Sequence, residues 1–234
     1  MADAAETSPI ERPNTYELLA QRLLELIADG ELAVGEPLPS ERELVERFRV
    51  GRSSVREALR VLESKGLIDG GGKGRFVVST SPKPLNSSLQ VLLELKEADI
   101  EELYELREVI EGATVAFAAE RRTDDDLTAI AATIDDMAAG LGSPDEYIDA
   151  DLSFHLAIAR AGNNRIAVHM MQAIREILRR GLLRLYAVPG GPERSIAHHR
   201  AILEAVAARD AAAARDRMLE HLRTVSAEVG RTAT

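Results

Sequence analysis

Leu38-Pro-Ser-Glu-Arg-Glu-Leu-Val-Glu-Arg-Phe-Arg-Val-Gly-Arg-Ser-Ser-Val-Arg-Glu-Ala-Leu-Arg60 reads as two short helices meeting at a tight turn. Ser40 is placed to cap the first helix, and Glu43, three residues on, can reach back to complete a capping box. Val50-Gly51 breaks the run, and Arg52-Ser53-Ser54 open a second helix that continues through Val55, Leu59 and Leu62. Cations are disfavoured near the positive end of a helix dipole. Arg52 and Arg56 in the first turn therefore make sense if an anion docks there. In a helix-turn-helix, that end of the second helix meets the DNA major groove.

Charge and the following residues extend this reading. From Arg42 to Arg75 nine Arg/Lys face five Asp/Glu, an excess of +4 in a chain whose net charge is −10. A positive patch on an acidic chain is an electrostatic footprint for nucleic acid; the plainer alternative is a solvated helical hairpin with ordinary surface arginines. In Gly66-Leu-Ile-Asp-Gly-Gly-Gly-Lys-Gly-Arg-Phe-Val-Val78, Leu67-Ile68 and Phe76-Val78 predict two short strands, with Gly70 to Gly74 turning between them. Lys73 and Arg75 make that hairpin a basic wing. A phosphate-cradling loop would need strand–loop–helix order and a Gly-Lys-Ser/Thr ending, and this stretch has neither.

These residues resemble a known family. Leu38-Pro39-Ser40-Glu41-Arg42-Glu43-Leu44, Arg52-x-x-Val55-Arg56-Glu57-Ala58-Leu59 and Gly72-Lys73-Gly74-Arg75-Phe76-Val77 look like the winged helix-turn-helix of GntR-type bacterial transcription regulators. The resemblance implies operator-DNA contacts from Arg42, Arg52, Ser53, Ser54, Arg56, Gly72 and Lys73. Gly51 departs from the pattern, because the family usually carries Ser or Thr there.

At 234 residues the chain suits two modest domains. Without cysteine there are no disulfides or thiolate metal sites, and no apolar run approaches the roughly 18 residues of a membrane span. Met1 to Asn14 lacks a signal-peptide pattern and is expected to be a disordered arm. A soluble, cytoplasmic protein is the expectation. Eight Phe/Tyr and no Trp argue against a sugar-binding or base-stacking surface. The winged helix-turn-helix is placed at residues 15–79, a linker at 80–86 around Pro82 and Pro84, and an all-helical domain at 87–230. In that domain helical periodicity predicts Asp99 to Arg121, Thr123 to Gly140, Ser143 to Ala161, Asn164 to Tyr186, Glu193 to Ala208 and Asp210 to Val229. The fold class is mainly α: a winged helix-turn-helix plus an antiparallel helical bundle.

All five histidines follow residue 150. Asp151 and His155, four apart, share one helix face. If the last two helices turn near Asp210, His199 lies eleven residues before the turn and His221 eleven after, so the two come level. One carboxylate and three imidazoles from three helices can then converge on a divalent ion such as Zn, Ni or Mn, with positions left for a ligand. The plainer reading of Asp151–His155 is a surface or satisfied core interaction. His169 and His198 fall outside the set.

Here too there is a resemblance. Leu103-Tyr104-Glu-Leu-Arg107-x-x-Ile-Glu111, Asp151-Leu-Ser-Phe-His155-x-x-Ile158-Ala-Arg-Ala-Gly-Asn163, His199-Arg-Ala-Ile-Leu-Glu-Ala and Met218-x-x-His221-Leu look like the FCD effector domain of the FadR subgroup of GntR regulators. It implies a divalent metal on Asp151, His155, His199 and His221, whose coordination a small carboxylate effector completes. Arg107 takes the place of an effector-cavity arginine; alternatively it pairs with Glu111 one turn on. Asn163 is a further effector-binding position, or simply ends its helix. The expected function is a homodimeric, ligand-responsive regulator, a repressor, that binds double-stranded operator DNA and is not an enzyme. A metal-dependent hydrolase with a DNA-binding appendage and an architectural DNA-binding protein without an effector are the alternatives.

Overall fold

A computed structural model describes residues 14–70, 75–80, 83–96 and 98–231, apart from the side chains at 180, 181 and 229–231. The expected arm, except for Asn14, and the wing tip, including Gly72 and Lys73, lie outside the described residues. Two compact units divide after Pro84.

In the first unit, α1 (Thr15–Ala28), α2 (Glu41–Phe48) and α3 (Arg52–Ser64) precede β1 (Ile68–Gly70) and β2 (Phe76–Val78). The capping box forms at the start of α2: Ser40 Oγ accepts from Glu43 N at 3.3 Å, and Ser40 N donates to Glu43 Oε2 at 2.8 Å. The left-handed residue that ends α2 is Arg49, at φ 54°, and Gly51 caps α3 with an extended backbone and no side-chain bond. β1 and β2 pair antiparallel, Ile68 opposite Val78 and Gly70 opposite Phe76. Residues 35–38 line the other side of β2, with Leu38 N donating to Phe76 O at 2.8 Å and Val78 N donating to Glu36 O at 2.9 Å. Leu19, Leu23, Leu44, Val55, Leu59, Leu62, Ile68 and Val78 fill the core. Burying these side chains from three helices and two strands fixes α3 with its first turn toward solvent.

One helix falls where the sequence predicts a linker. α4 (Lys83–Glu94) begins inside the stretch expected to be a linker. Pro82 and Pro84 signal a break, but Pro84 sits in the first helical turn, where no backbone N–H is needed for the ladder. The six expected helices follow as α5 (Ile100–Arg121), α6 (Asp124–Ala139), α7 (Pro144–Ala161), α8 (Arg165–Tyr186), α9 (Gly191–Ala207) and α10 (Ala211–Arg231), with a 3-10 turn at Gly140–Gly142. Asp99 and Thr123 form capping boxes, Asn164 caps α8, and Asp210 Oδ1 accepts from Ala213 N at 2.9 Å. Ser143, where this helix is expected to start, makes no side-chain cap bond; only Pro144 marks that start.

The architecture is mainly α, as expected. α5 packs along α10, α7 along α5, α6 and α8, and α9 along α10 and α6. Gly112 permits the close approach of α5 and α10, since a Cβ there would stand 3.3 Å from Leu219. Val115, Ile130, Phe154, Ile174, Ile202, Met218 and Leu222 form one core, and polar residues of α5, α7, α9 and α10 are buried with it. Among the described residues no helix is long and apolar enough to cross a membrane.

Candidate DNA interface and candidate metal centre

The start of α3 carries the first site. Arg52 and Ser53 are exposed, and Ser54 is half-buried. Arg56 is also exposed, but its Nε donates to Glu41 Oε2 at 3.0 Å, tying the second turn of α3 to the first residue of α2. Arg42 Nε lies 3.5 Å from Glu46 Oε1 on α2. Exposed pairs of this kind contribute about 0–1 kcal/mol, so a phosphate or a base edge can displace the glutamate.

The second site is buried. α9 ends at Ala207 and α10 begins at Ala211, so His199 and His221 face each other across the hairpin with their Nε2 atoms 3.2 Å apart. Donor atoms of His155, His199 and His221 all lie within 4.8 Å of one another. Asp151 stands at the edge of this triad, with Oδ2 4.0 Å from His155 Nε2 and Oδ1 3.8 Å from His199 Nε2. The structure thus brings the four expected residues together. His169 is exposed, and His198 is half-buried with its ring centroid 5.8 Å from that of His221; neither joins the triad.

Neighbouring side chains orient the donors. Glu111 Oε2 accepts from His155 Nδ1 at 2.5 Å. A carboxylate only accepts, so His155 carries a proton on Nδ1, and Nε2 is the ring atom left to face the cluster. His199 Nδ1 lies 3.1 Å from Met137 Sδ, and its ring stacks on Phe154 with centroids 3.9 Å apart. Ser195 Oγ donates to Asp151 Oδ1 at 3.4 Å.

Arg107 is 1% exposed and its Nε donates to Glu111 Oε1 at 2.5 Å, so the pair is a buried one rather than a surface bridge. Its guanidinium carbon lies 5.0 Å from the centroid of the Tyr104 ring. Arg107 Nη2, Tyr104 Oη, His155 Nε2 and His221 Nδ1 are buried without a hydrogen-bond partner among the described residues. Asn163 is not part of this group. It is exposed past the end of α7 at φ 52°, the left-handed geometry that ends a helix.

Electrostatics follow from burial. Burial holds His199 and His221 well below the ordinary histidine range, so both are neutral at pH 7. Burial likewise pushes the Asp151 carboxyl up, against the pull of His155 and Arg107. Glu111 meets the same penalty, but Arg107 and His155 together outweigh it and hold the carboxyl at about 2.

The sequence reading singled out none of Tyr104, Met137 and Ser195, and it took Glu111 only as a partner for Arg107. The signal for Glu111 was present: Leu103, Arg107, Glu111 and Val115 form one four-residue-spaced row. Its outer members are apolar, which places both charges on the inward face.

A winged helix-turn-helix followed by a helical domain with a polar heart defines a DNA-binding regulator with a separate second domain. Residues 15–78 match the gntR family of bacterial regulatory proteins, and residues 102–224 match the FCD domain. The chain belongs to the GntR family of transcription regulators, in the group that carries an FCD domain. It is 32% identical over 206 residues to the HTH-type transcriptional regulator LutR of Bacillus subtilis, spanning 86% of this chain and 94% of that protein. Identity to the HTH-type transcriptional repressor NanR of Cronobacter sakazakii is 31%, over 94% of this chain and 86% of that one. For the Glc operon transcriptional activator of Escherichia coli it is 30%, over 92% and 89%. A solved structure of Streptococcus agalactiae GntR superposes with a TM-score of 0.69 at 29% identity, covering 91% of this chain and 99% of that one.

Proposed function

We propose that this regulator is a homodimeric repressor whose helical domain holds a divalent metal ion and reads a small carboxylate effector. The observation that carries the proposal is the buried set Asp151, His155, His199 and His221, whose donor atoms face one another, with the imidazoles of His199 and His221 held neutral by burial. Two atoms bound to one ion at about 2.1 Å stand between about 3 and 4.2 Å apart, depending on the angle between them. The separations of 3.2, 3.8 and 4.0 Å fall in that range. Without a cation the same set is unfavourable: facing imidazole nitrogens repel unless one carries a proton, and Asp151 resists ionisation. The donors fit Zn, Ni or Mn, ions that accept imidazole and carboxylate together. When bound, such an ion neutralises Asp151 and offers open positions to an anionic ligand.

Arg107 is the second anchor. Its buried Nη2 has a donor to give, and a guanidinium matches a carboxylate well. Tyr104 Oη beside it supplies a further polar contact, whereas Asn163 is exposed past the end of α7. In the DNA-binding unit, two copies of α3 in a dimer reach successive major grooves of a roughly palindromic operator. Arg52 and Arg56 suit guanine edges, while Ser53, Ser54, Arg42 and Lys73 suit phosphates. An effector weakens that binding if it favours the state in which the two copies are wrongly spaced.

Fluorescence anisotropy on the DNA upstream of the gene itself, with a panel of small carboxylates and with a chelator, tests this reading. The expected result is specific binding relieved by one acid in the wild type and insensitive to it in His199→Ala. Specific binding indifferent to every acid and to chelation would overturn the effector site and leave the DNA-binding unit standing.

A further inference from the structure

We propose that Glu111 is a positioning residue that ties the metal-ligating face of the cluster to the Arg107 guanidinium, so that one carboxylate sets the geometry of both. The proposal rests on reading the cluster as a metal site. Each Glu111 oxygen has its own partner: Oε1 takes Arg107 Nε on its own helix, and Oε2 takes His155 Nδ1 on α7, both at 2.5 Å. The residue is 1% exposed, so water does not compete for either oxygen.

The consequence lies in what the two partners have left to offer. A ring whose Nδ1–H is spent on a carboxylate has only Nε2 left to offer a metal, and the His155 Nε2 is buried, unbonded among the described residues and 4.0 Å from Asp151 Oδ2. A guanidinium held through Nε keeps its outer nitrogens, and Arg107 Nη2 is likewise buried and unbonded. The other two imidazoles lack this support. His199 Nδ1 has only the thioether of Met137, a weak acceptor, and His221 Nδ1 has no partner among the described residues. His155 is therefore the best-oriented ligand of the three, and its orientation is linked to that of Arg107.

Glutamine cannot hold both ties. An amide has one acceptor and one donor end, so either the His155 Nδ1–H or the Arg107 Nε–H must face another N–H. Loss of a carboxylate behind a ligating histidine weakens metal binding roughly 10- to 100-fold. Arg107→Met should also change metal affinity in the wild-type background, although Arg107 supplies no ligand, and should have no further effect once Glu111 is glutamine.

The test is titration of the metal-stripped full chain with Zn2+ alone, for wild type, Glu111→Gln, Arg107→Met and the double variant. Support is a 10- to 100-fold loss in Glu111→Gln, with the Arg107→Met effect confined to the Glu111 background. Tight wild-type binding with Glu111→Gln within twofold of it would overturn the proposal, as would an equal Arg107→Met effect in both backgrounds. A wild type that takes no metal would overturn the metal reading itself, and this proposal with it. Long-range 1H–15N spectra of the metal-free wild type give a readout that needs no variant to fold. They should show a proton on His155 Nδ1, and a ring protonated at Nε2 alone would overturn the positioning role directly.

Discussion

On the recognition helix, Arg52, Ser53 and Arg56 stand in solvent, and the Arg56 guanidinium is shared with a surface glutamate. In the helical domain, Arg107, Glu111, Asp151, His155, His199 and His221 are each at most 2% exposed. An exposed charge keeps most of its hydration, so its partner is exchangeable and a DNA phosphate can replace Glu41. A buried charge has given up several kcal/mol of solvation and depends on the partners the fold supplies. The first arrangement suits a surface that meets DNA and leaves it. The second suits a site that must be built before anything binds, with donors already aimed.

The largest test of that contrast removes one glutamate from each region. Glu111→Ala strands Arg107 and His155 in the core and should lower folding stability by about 3–5 kcal/mol. Glu41→Ala frees an arginine that is 64% exposed and should change stability by about 0–1 kcal/mol. Urea unfolding of the two variants measures the difference, and equal losses would break the comparison. Acid adds a second readout. Because Glu111 is held at about 2, below its ordinary 4.5, its contribution is complete above 4.5 and fades as pH falls toward 2. Glu111→Gln should flatten that part of the stability curve.

Metal comes next in size. A divalent ion at a hundredfold excess over its Kd should stabilise the folded chain by about 2.7 kcal/mol. Thermal melts with Zn2+ and with chelator should show the shift in wild type and in Arg52→Ala, and none in His199→Ala. An equal shift in His199→Ala would place the ion somewhere other than the buried cluster.

Operator binding should respond in the opposite pattern. Arg52→Ala is expected to cost about 1–3 kcal/mol of affinity and relax preference at one base pair. Arg42→Ala should weaken all sequences alike and reduce the salt slope by about 1. Anisotropy titrations across ionic strength separate the two. A loss of zinc affinity in either variant would contradict the assignment of the two chemistries to separate residues.

Much of this was legible in the chain because it is local. Ser40 with Glu43, the arginines after Gly51 and the caps Asp99, Thr123 and Asp210 act within a turn of themselves. His199 and His221 are far apart in sequence, yet one turn position was enough to level them. Glu36 and Pro37 resisted, since neither resembles a strand residue and their pairing with β2 depends on an edge formed by distant residues. α4 was hidden by prolines that break a helix interior but not its first turn. Glu111 was hidden differently. Its spacing from Arg107 is that of any surface ion pair; Leu103 and Val115 in the same row mark the inward face, but only the packing of α7 against α5 decides that His155 completes the pair.

Gly51 supplies the smallest test and bears on the exposed side of the comparison alone. Its φ of −68° and ψ of 151° are ordinary for a helix N-cap, and a Cβ there would meet only Ser53 Oγ, at 3.7 Å. Serine therefore fits without strain, and its hydroxyl can accept from the N–H of Ser53 or Ser54 as the glycine cannot. The gain for Gly51→Ser is a few tenths of a kcal/mol, seen as a small rise in the urea midpoint with an unchanged slope. The same hydroxyl lies at the end of α3 proposed to meet DNA, so operator affinity should hold or rise while zinc binding stays fixed. A fall in the midpoint would mean that the first turn of α3 depends on a backbone freedom that only glycine has.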